Sequence, residues 1–447
     1  MSGSLAIRGG RVLDPGHGLD KIADVLIENG RIAKVGAALA AAQVIDASGL
    51  VVCPGFVDIH CHLRDPGFEH KETIETGTRA AARGGFTTVC CMPNTEPPID
   101  SRATVEYVLR TAAAVGLVRV LPIGCVSQGR HGEALAELAD LAEAGAVGFS
   151  DDGNPVADAS LMRRALEYSQ ALGLPVIDHC EEPSLTKEGV MHEGWVSTRL
   201  GLCGQPAAAE EAAVARDIAL AEFTGSHVHI AHVSTRGSVE LARVAKARGV
   251  NVTAEVTPHH LTLTHETVAF SPAGHGSLSY DTNAKVNPPL RTREDAEACV
   301  EGLLDGTIDA IATDHAPHAL EDKLCEFDQA AFGISNFETA LGALLTLVPG
   351  GRLDLPTLVA KLTAGPVAAL ALDRRPGLDG LGSLAPGAPA DVVVLDPQRE
   401  WVVEPERFAS KGRNTPLAGR TLRGQVVATV YGGRVVYTLE TARTATT

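Results

Sequence analysis

One rhythm constrains this chain more than any other feature: a short apolar run, a polar loop and a helical stretch, repeated from residue 51 onward. Eight runs have strand character: CPGFVDIHC, FTTVCCMP, VRVLPIGCV, AVGFS, LPVIDHC, HVHIAHV, NVTAEVT and DAIATDH. Amphipathic stretches such as TIETGTRAAARGG, SLMRRALEYSQALG, AEEAAVARDIALAEFTG and GSVELARVAKARG separate most of them. Near-continuous apolar strands alternating with helices form a parallel sheet that is covered on both faces. Eight such units predict an α/β fold closed into a (β/α)8 barrel rather than an open doubly wound sheet. A chain of 447 residues is also too long for one ordinary compact domain unless that domain is a barrel.

Both ends follow a different rhythm. Residues 1–50 read as short strands broken by turns, and Glu28-Asn29-Gly30 between alternating runs is a hairpin signal. The same pattern returns near the C-terminus in DVVVLDP, EWVVEP and GQVVATVYGGRVVY. The simplest assembly joins residues 1–52 and 380–447 into a small flanking β-sandwich domain, with residues 53–379 as the barrel and the tail TARTATT frayed. Two long insertions, Glu181 to Ala207 and Pro258 to about Arg293, follow the fifth and seventh runs, where lids and specificity loops are built.

The polar residues fall at the C-terminal ends of the runs, the face on which barrels place their active sites. His60 and His62 end the first run, and alternate residues of a strand share a face, so both imidazoles point the same way. Asn94 follows the second run, Asp151-Asp152 the fourth, His179 the fifth, His232 the sixth and Asp314 the eighth. Imidazoles and carboxylates gathered in this way suit a borderline metal such as zinc. Either Asp151 or Asp152 could be the anionic ligand, and spacing alone does not choose between them. Asp314 beside a metal-activated water has the position of a general base and then a general acid.

Most of the sixteen histidines need no such role. His17, His70, His131, His192 and His275 sit in polar stretches and read as solvated. His227 and His229 lie at the start of their strand, the stability end of a barrel. His259 and His260, after the seventh run, are left open between a loop hydrogen bond and a function.

A net charge of −17 argues against nucleic acid or an anionic membrane as partner. An anionic substrate would therefore need cations supplied by the site, and Arg64, two residues beyond His62, has the planar fork that grips a carboxylate. The nine cysteines are odd in number and lack C-x-x-C pairing, which suits a reducing cytoplasm. No signal-peptide core or membrane-spanning run is apparent, so a cytoplasmic, soluble protein is expected.

Read together, GFVDIHCHLRDPG, CCMPNT, GFSDDG, DHCE, HIAHVST, VTPHHL, TNAKVNPPLR, IATDHAPH and APGAPADVVVLD resemble the amidohydrolase superfamily and, within it, the class I dihydroorotases. The resemblance implies the reversible cyclisation of N-carbamoyl-L-aspartate to L-dihydroorotate and water in pyrimidine synthesis, on one or two zinc ions. It implies that His60, His62, Asp152, His179 and His232 hold zinc and that Asp314 completes the site. Asp152 would stand where related enzymes use a carboxylated lysine. His62, Arg64, Asn94 and His318 would meet the substrate, with Asn283 and the Phe332-Gly333 backbone against the ring. GISNFETA departs from the GIVGLET-like form of the family. A homo-oligomer and a complex with an aspartate transcarbamoylase are the partners implied.

Two other readings share features with this one. Hydantoinases, dihydropyrimidinases and allantoinases have the same barrel but a lysine after the fourth strand, which GFSDDG lacks. A non-catalytic scaffold for a transcarbamoylase would be expected to have lost ligands that this chain retains.

Overall fold

The computed structural model describes residues 4–270, 278–439 and 444–446. His275 lies outside them. The chain opens with β1 (Leu5–Asp14), β2 (Leu19–Glu28), β3 (Arg31–Gly36), β4 (Gln43–Asp46) and β5 (Val51–Pro54). An alternation with helices follows: β6 (Phe56–Cys61), β7 (Phe86–Cys91), β8 (Arg119–Pro122) and β9 (Val176–Asp178), the short pair β10 (Met191–His192) and β11 (Gly204–Gln205), then β12 (Val228–Ile230), β13 (Val252–Val256) and β14 (Ala310–Ile311). The last strands are β15 (Val392–Val402), β16 (Thr421–Tyr431), β17 (Arg434–Thr438) and β18 (Thr444–Thr446).

The helical stretches end where their sequences dictate. The helix Ile74–Gly84 starts at Thr73, whose hydroxyl accepts from the Thr76 amide, and stops at Gly85 in the left-handed region. Ala159–Leu172 starts at Asp158 and ends at Gly173 in the same way.

Parallel pairing runs β6–β7–β8 and β9–β12–β13–β14. Phe149 joins the two arrays, bridging Gly124 on one side and Val176 on the other. The remaining gap closes where Cys61 bridges His315, with the His62 amide donating to His315 O and the Asp314 amide to His60 O, each at 2.9 Å. All eight predicted runs thus take part in one closed parallel circuit, the fourth reduced to a single bridging residue. Val57, Ile59, Cys90, Ile123, Ile177 and Ala310 pool their side chains with Val367, Leu370 and Leu381 in one buried cluster.

Both chain ends meet in a nine-stranded sheet of order β17-β16-β15-β5-β1-β2-β3, with β4 beside β1 and β18 on β4. The Asn29-Gly30 turn joins β2 to β3, both residues at positive φ as a tight hairpin requires. Within the tail expected to fray, residues 444–446 form β18, antiparallel to β4, and the rest of that tail lies outside the described residues. CPGFVDIHC is not one strand. Cys53 and Pro54 pair with β15 in the flanking sheet, and the circuit starts only at Phe56. The insertions carry short helices, Pro183–Thr186, Trp195–Leu200, Pro258–Thr262 and Glu266–Ala269. Val196, Leu200, Val268 and Leu290 bring the two insertions into one hydrophobic cluster.

Gly55 is the hinge between sheet and circuit. A Cβ there would lie 2.1 Å from Thr87 Oγ1 and 2.5 Å from Thr87 Cγ2. Gly55→Ala is expected to cost about 1–3 kcal/mol of stability, read from the denaturation midpoint, and Thr87→Ala in the same chain should recover most of it. An undiminished midpoint in the single variant would show that these strands are not pressed together.

Candidate metal centre and binding cavity

The circuit brings the strand ends together. His60 is the penultimate residue of β6 and His62 follows it on the same face; His179, His232 and Asp314 lie just beyond β9, β12 and β14, and Asp152 follows Phe149. None of the six is more than 5% exposed. Asp152 lies at their centre: Oδ1 is 3.3 Å from His60 Nε2, 3.5 Å from His232 Nε2 and 3.7 Å from His179 Nδ1, and Oδ2 is 3.6 Å from His62 Nε2. Asp314 Oδ1 is 2.9 Å from His62 Nε2 and 3.8 Å from His60 Nε2. His179 Nδ1 and His232 Nε2 are 2.9 Å apart.

This donor set fits a divalent cation. Two overlapping groups, His60–His62–Asp314 and His60–Asp152–His232, converge closely enough to share an ion. His60 Nε2 and Asp152 Oδ1 are buried yet make no well-directed hydrogen bond, a cost that a coordinated ion removes. Burial opposes charge on His60, but the carboxylates of Asp152 and Glu255 outweigh it and hold its pKa well above the ordinary value. His179 is likewise carried to about 10 against burial, through Asp152 and Glu181. Asp152 is held well below the carboxylate range despite burial, chiefly by His60, and Asp314 at about 2 by His62 and its neighbours. The ionised carboxylates of Asp152 and Asp314 suit a cation, and its binding would require neutral imidazoles.

Asp151, the alternative left open by spacing, points elsewhere. It accepts from the Val126 and Ser127 amides at 2.9 and 3.1 Å and from the Ser127 hydroxyl, fastening the loop after β8. Glu255, inside β13, carried no functional expectation from sequence. Its Oε1 is 2.6 Å from His60 Nδ1 and its Oε2 is 3.3 Å from His229 Nε2, all three groups fully buried. An acidic residue at an inward position of an apolar strand was the available signal. His62 is fixed similarly, with Nδ1 2.8 Å from Asn94 Oδ1, which leaves Nε2 for the cluster. Arg64, His232 and Asp314 all have positive φ, which side-chain-bearing residues rarely adopt.

A cavity of ≈ 180 Å³ opens above the cluster. Of the residues named from sequence as substrate-facing, His62, Arg64, Asn94, His318, Phe332 and Gly333 line it. Asn283 does not: it belongs to a 3-10 turn, Thr282–Ala284, where its backbone N–H donates to Asp281 Oδ1 at 3.0 Å. The asparagine that does line the cavity is Asn287, whose Nδ2 reaches His179 Nε2 at 3.1 Å and donates to Glu181 Oε2 at 2.8 Å. The stretch TNAKVNPPLR contains both asparagines, and only the path of the loop distinguishes them. Arg64 Nη2 lies 3.3 Å from His318 Nε2, which is 2.8 Å from Phe332 O. Burial lowers Arg64 to about 10, so it keeps its charge at neutral pH. A larger crevice of ≈ 760 Å³, beside Arg83, Glu338 and Trp401, contains none of these residues.

Five of the other histidines have hydrogen-bonding neighbours away from the metal cluster. His260 sits between Thr257 Oγ1 and Pro288 O, at 2.8 and 3.0 Å. His259 meets Asn336 Nδ2 at 2.9 Å, outside the cavity. His192 is buried, contrary to its polar surroundings in sequence, because Arg291 crosses the insertion to reach it at 3.3 Å. His227 and His229 both meet Thr253 Oγ1 at 2.8 Å.

Comparison with known proteins agrees with this scaffold. The L-hydantoinase (dihydropyrimidinase) from Arthrobacter aurescens superposes with a TM-score of 0.85 at 26% identity, covering 98% of each chain. A dihydropyrimidinase from Brevibacillus agri shares the fold, with a TM-score of 0.81 at 23% identity over 99% of this chain and 97% of its own. Scaffold and buried histidine–carboxylate cluster together define an enzyme of the metal-dependent amidohydrolase class. The family described as Dihydro-orotase-like matches residues 49–238. The dihydroorotase of Pelotomaculum thermopropionicum is 56% identical over 435 residues, 97% of this chain and 98% of that one. That of Geobacter metallireducens is 51% identical over 437 residues, 97% and 99% of the two chains. This chain belongs to the dihydroorotase family.

Glu255→Gln keeps the shape under His60 but removes the charge. Divalent-metal affinity should fall about 10–100-fold, measured by competition with a chelator of known affinity. Unchanged affinity would mean that His60 binds independently of its buried partner.

Proposed function

We propose that this enzyme interconverts L-dihydroorotate and N-carbamoyl-L-aspartate in pyrimidine synthesis, using zinc. The supporting observation is a pairing of opposite charges across one small cavity: carboxylates and imidazoles at the floor, the Arg64 guanidinium on the wall beside the neutral His318. Relatives named dihydroorotase at 50–56% identity over nearly the whole chain agree with it. We read the scaffold as a (β/α)8 barrel spanning most of residues 53–379, with residues 1–52 and 380–447 as the flanking β-domain; the pairings around the closed circuit support this division. In this reading His60, His62, Asp152, His179, His232 and Asp314 would hold one or two zinc ions; Asp152, within 3.7 Å of all four imidazoles, is central to the set.

Bound zinc supplies a Lewis acid that polarises the ring amide carbonyl and lowers the pKa of water toward neutrality. The rest falls to the chain. Arg64 and His318 receive the ring carboxylate, assisted by the amide of Asn94, and fix the ring's orientation. Asn287 and the Phe332-Gly333 backbone border the ring edge. In hydrolysis Asp314 takes a proton from the attacking water as the C–O bond forms. It then gives that proton to the ring nitrogen as the C–N bond breaks, leaving N-carbamoyl-L-aspartate. Cyclisation reverses each step: the ureido nitrogen attacks the side-chain carboxyl and water departs.

The hydantoinase reading fits less well, because neutral rings leave Arg64 without a partner and Asp152 stands where a lysine is expected. We place the enzyme in the cytoplasm. All nine cysteines are free thiols, seven of them buried, and no described helix is long and apolar enough to cross a membrane. Assembly as a homo-oligomer or with an aspartate transcarbamoylase rests on the family resemblance alone.

The direct test loads the purified chain with zinc and follows hydrolysis of L-dihydroorotate, hydantoin and dihydrouracil in parallel. Turnover of dihydroorotate alone is expected; preference for the neutral rings would overturn the substrate assignment. Asp314→Asn should lower kcat about 10²–10⁴-fold while bound metal stays near the parent level, and full turnover would remove its acid–base role. Arg64→Met should raise KM for dihydroorotate about 10–100-fold, the loss of a charge-assisted pair, with little change for dihydrouracil. Equal KM values in parent and variant would exclude Arg64 as the carboxylate's partner.

A further inference from the structure

Two lysines that the reaction does not use are buried beside the cavity. Lys285 is 2% exposed and Lys323 is 4% exposed. Lys323 Nζ donates to three backbone carbonyls, Thr282 O at 3.1 Å, Lys285 O at 3.3 Å and Ala331 O at 2.5 Å. Lys285 Nζ donates to Phe327 O at 2.8 Å and Asp328 O at 2.9 Å, and it lies 4.5 Å from the centre of the Phe332 ring. Each lysine therefore reaches from its own segment into the other's. Two more bonds run alongside: Thr282 Oγ1 donates to Lys323 O at 2.7 Å, and the Gly333 amide to Lys285 O at 2.9 Å.

This arrangement costs more than a plain structural brace would. Among the described residues neither ammonium forms an ion pair, and the neighbouring Asp322 pairs with Lys71 instead, at 3.1 Å. Burial, and then the charge on Lys285, press Lys323 down to about 7. Two like charges placed close together away from water destabilise a fold unless each is solvated by fixed dipoles. Carbonyls provide that solvation here, and an ammonium's three donors match three acceptors as a planar guanidinium would not. Local costs of this kind concentrate where function needs a fixed geometry.

The two stitched segments are the ones that carry Val286 and Asn287, and Phe332 and Gly333, to the cavity. We infer that Lys285 and Lys323 are positioning residues that lock these two segments into one wall and so set substrate affinity rather than the chemical step. The inference rests on the dihydroorotase reading of the cavity. The cluster at His60 belongs to other strands, so its metal content should not respond to either lysine.

The experiment compares zinc-loaded parent, Lys323→Met, Lys285→Met and the milder Thr282→Val, recording KM and kcat for L-dihydroorotate, bound zinc and the melting temperature. Lys323→Met and Lys285→Met should raise KM about 10-fold or more with kcat within about threefold and zinc unchanged. Thr282→Val should raise KM by a smaller factor, and it carries the test if the lysine variants do not fold. A lowered melting temperature with KM unchanged would reduce the lysines to structural braces and overturn the inference. Loss of kcat together with zinc would overturn it too, by tying the lysines to the metal cluster. Parent enzyme inactive on dihydroorotate would remove the substrate reading itself, whereas an active parent with unchanged variant KM removes this inference alone.

Discussion

Everything at the site depends on keeping the Asp152 carboxylate away from water. An isolated carboxylate in such a place would take up a proton rather than remain charged. Asp152 stays ionised because four imidazoles surround it, drawn from β6 and from the ends of β9 and β12. No local segment could supply that environment. His60 and Asp314 are 254 positions apart in sequence, yet the amide of Asp314 is bonded to the carbonyl of His60. Closing the parallel circuit is thus the same event as assembling the cluster, and the hydrogen bonds that seal the circuit are made by residues of the cluster.

That coupling explains where the backbone is distorted. Of the seven non-glycine residues with positive φ among the described residues, Arg64, His232 and Asp314 lie at the site. Each belongs to the segment just beyond a strand end, where the chain must turn while its side chain keeps facing inward. A left-handed conformation costs a side-chain-bearing residue about 1–3 kcal/mol, which the surrounding packing has to offset. Beneath them the buried Glu255 carboxylate stands between two imidazoles, Oε1 2.6 Å from His60 Nδ1 and Oε2 3.3 Å from His229 Nε2. The cluster is held from below by charge and from above by strained turns, which leaves the imidazoles little freedom to rotate.

Periodicity made much of this legible in the sequence. The alternation of strand faces put His60 and His62 together, and the strand–helix rhythm assigned His179, His232 and Asp314 to one end. Period and rhythm end where strands end, and most of what they leave open lies there. Asp151 and Asp152 differ only in which way one loop turns, and a single rotation of that loop sends Asp151 to the Ser127 amide. Asn283 and Asn287 are four residues apart in an insertion with no repeating pattern, and the 3-10 turn at Thr282–Ala284 directs only the second to the cavity. His192 looked solvated because its neighbours in sequence are polar; it is buried by Arg291, 99 positions later. Glu255 was passed over because a lone acid in an apolar strand shows its purpose only when the strand across the circuit supplies His60.

The charge pattern of the cavity bears on the harder direction of the proposed reaction. Open-chain N-carbamoyl-L-aspartate is flexible and carries two carboxylates, and most of its conformers hold the ureido nitrogen away from the side-chain carboxyl. A chain with a net charge of −17 repels such a dianion at long range, so attraction has to come from close contacts. The cavity offers two separate attractions: Arg64 and His318 on one wall, and the cation-holding cluster at the floor. With the α-carboxylate at Arg64 and the side-chain carboxyl at the floor, both ends of the Cα–Cβ unit would be held, and the ureido group that branches from Cα would face the Asn287 and Phe332 edge. Only the torsions of the ureido arm would then remain to be set, so part of the entropy of ring closure is met by binding before the C–N bond begins to form. A wall free to shift by an ångström would forfeit this advantage, which gives a physical reason for fastening that edge with buried charges.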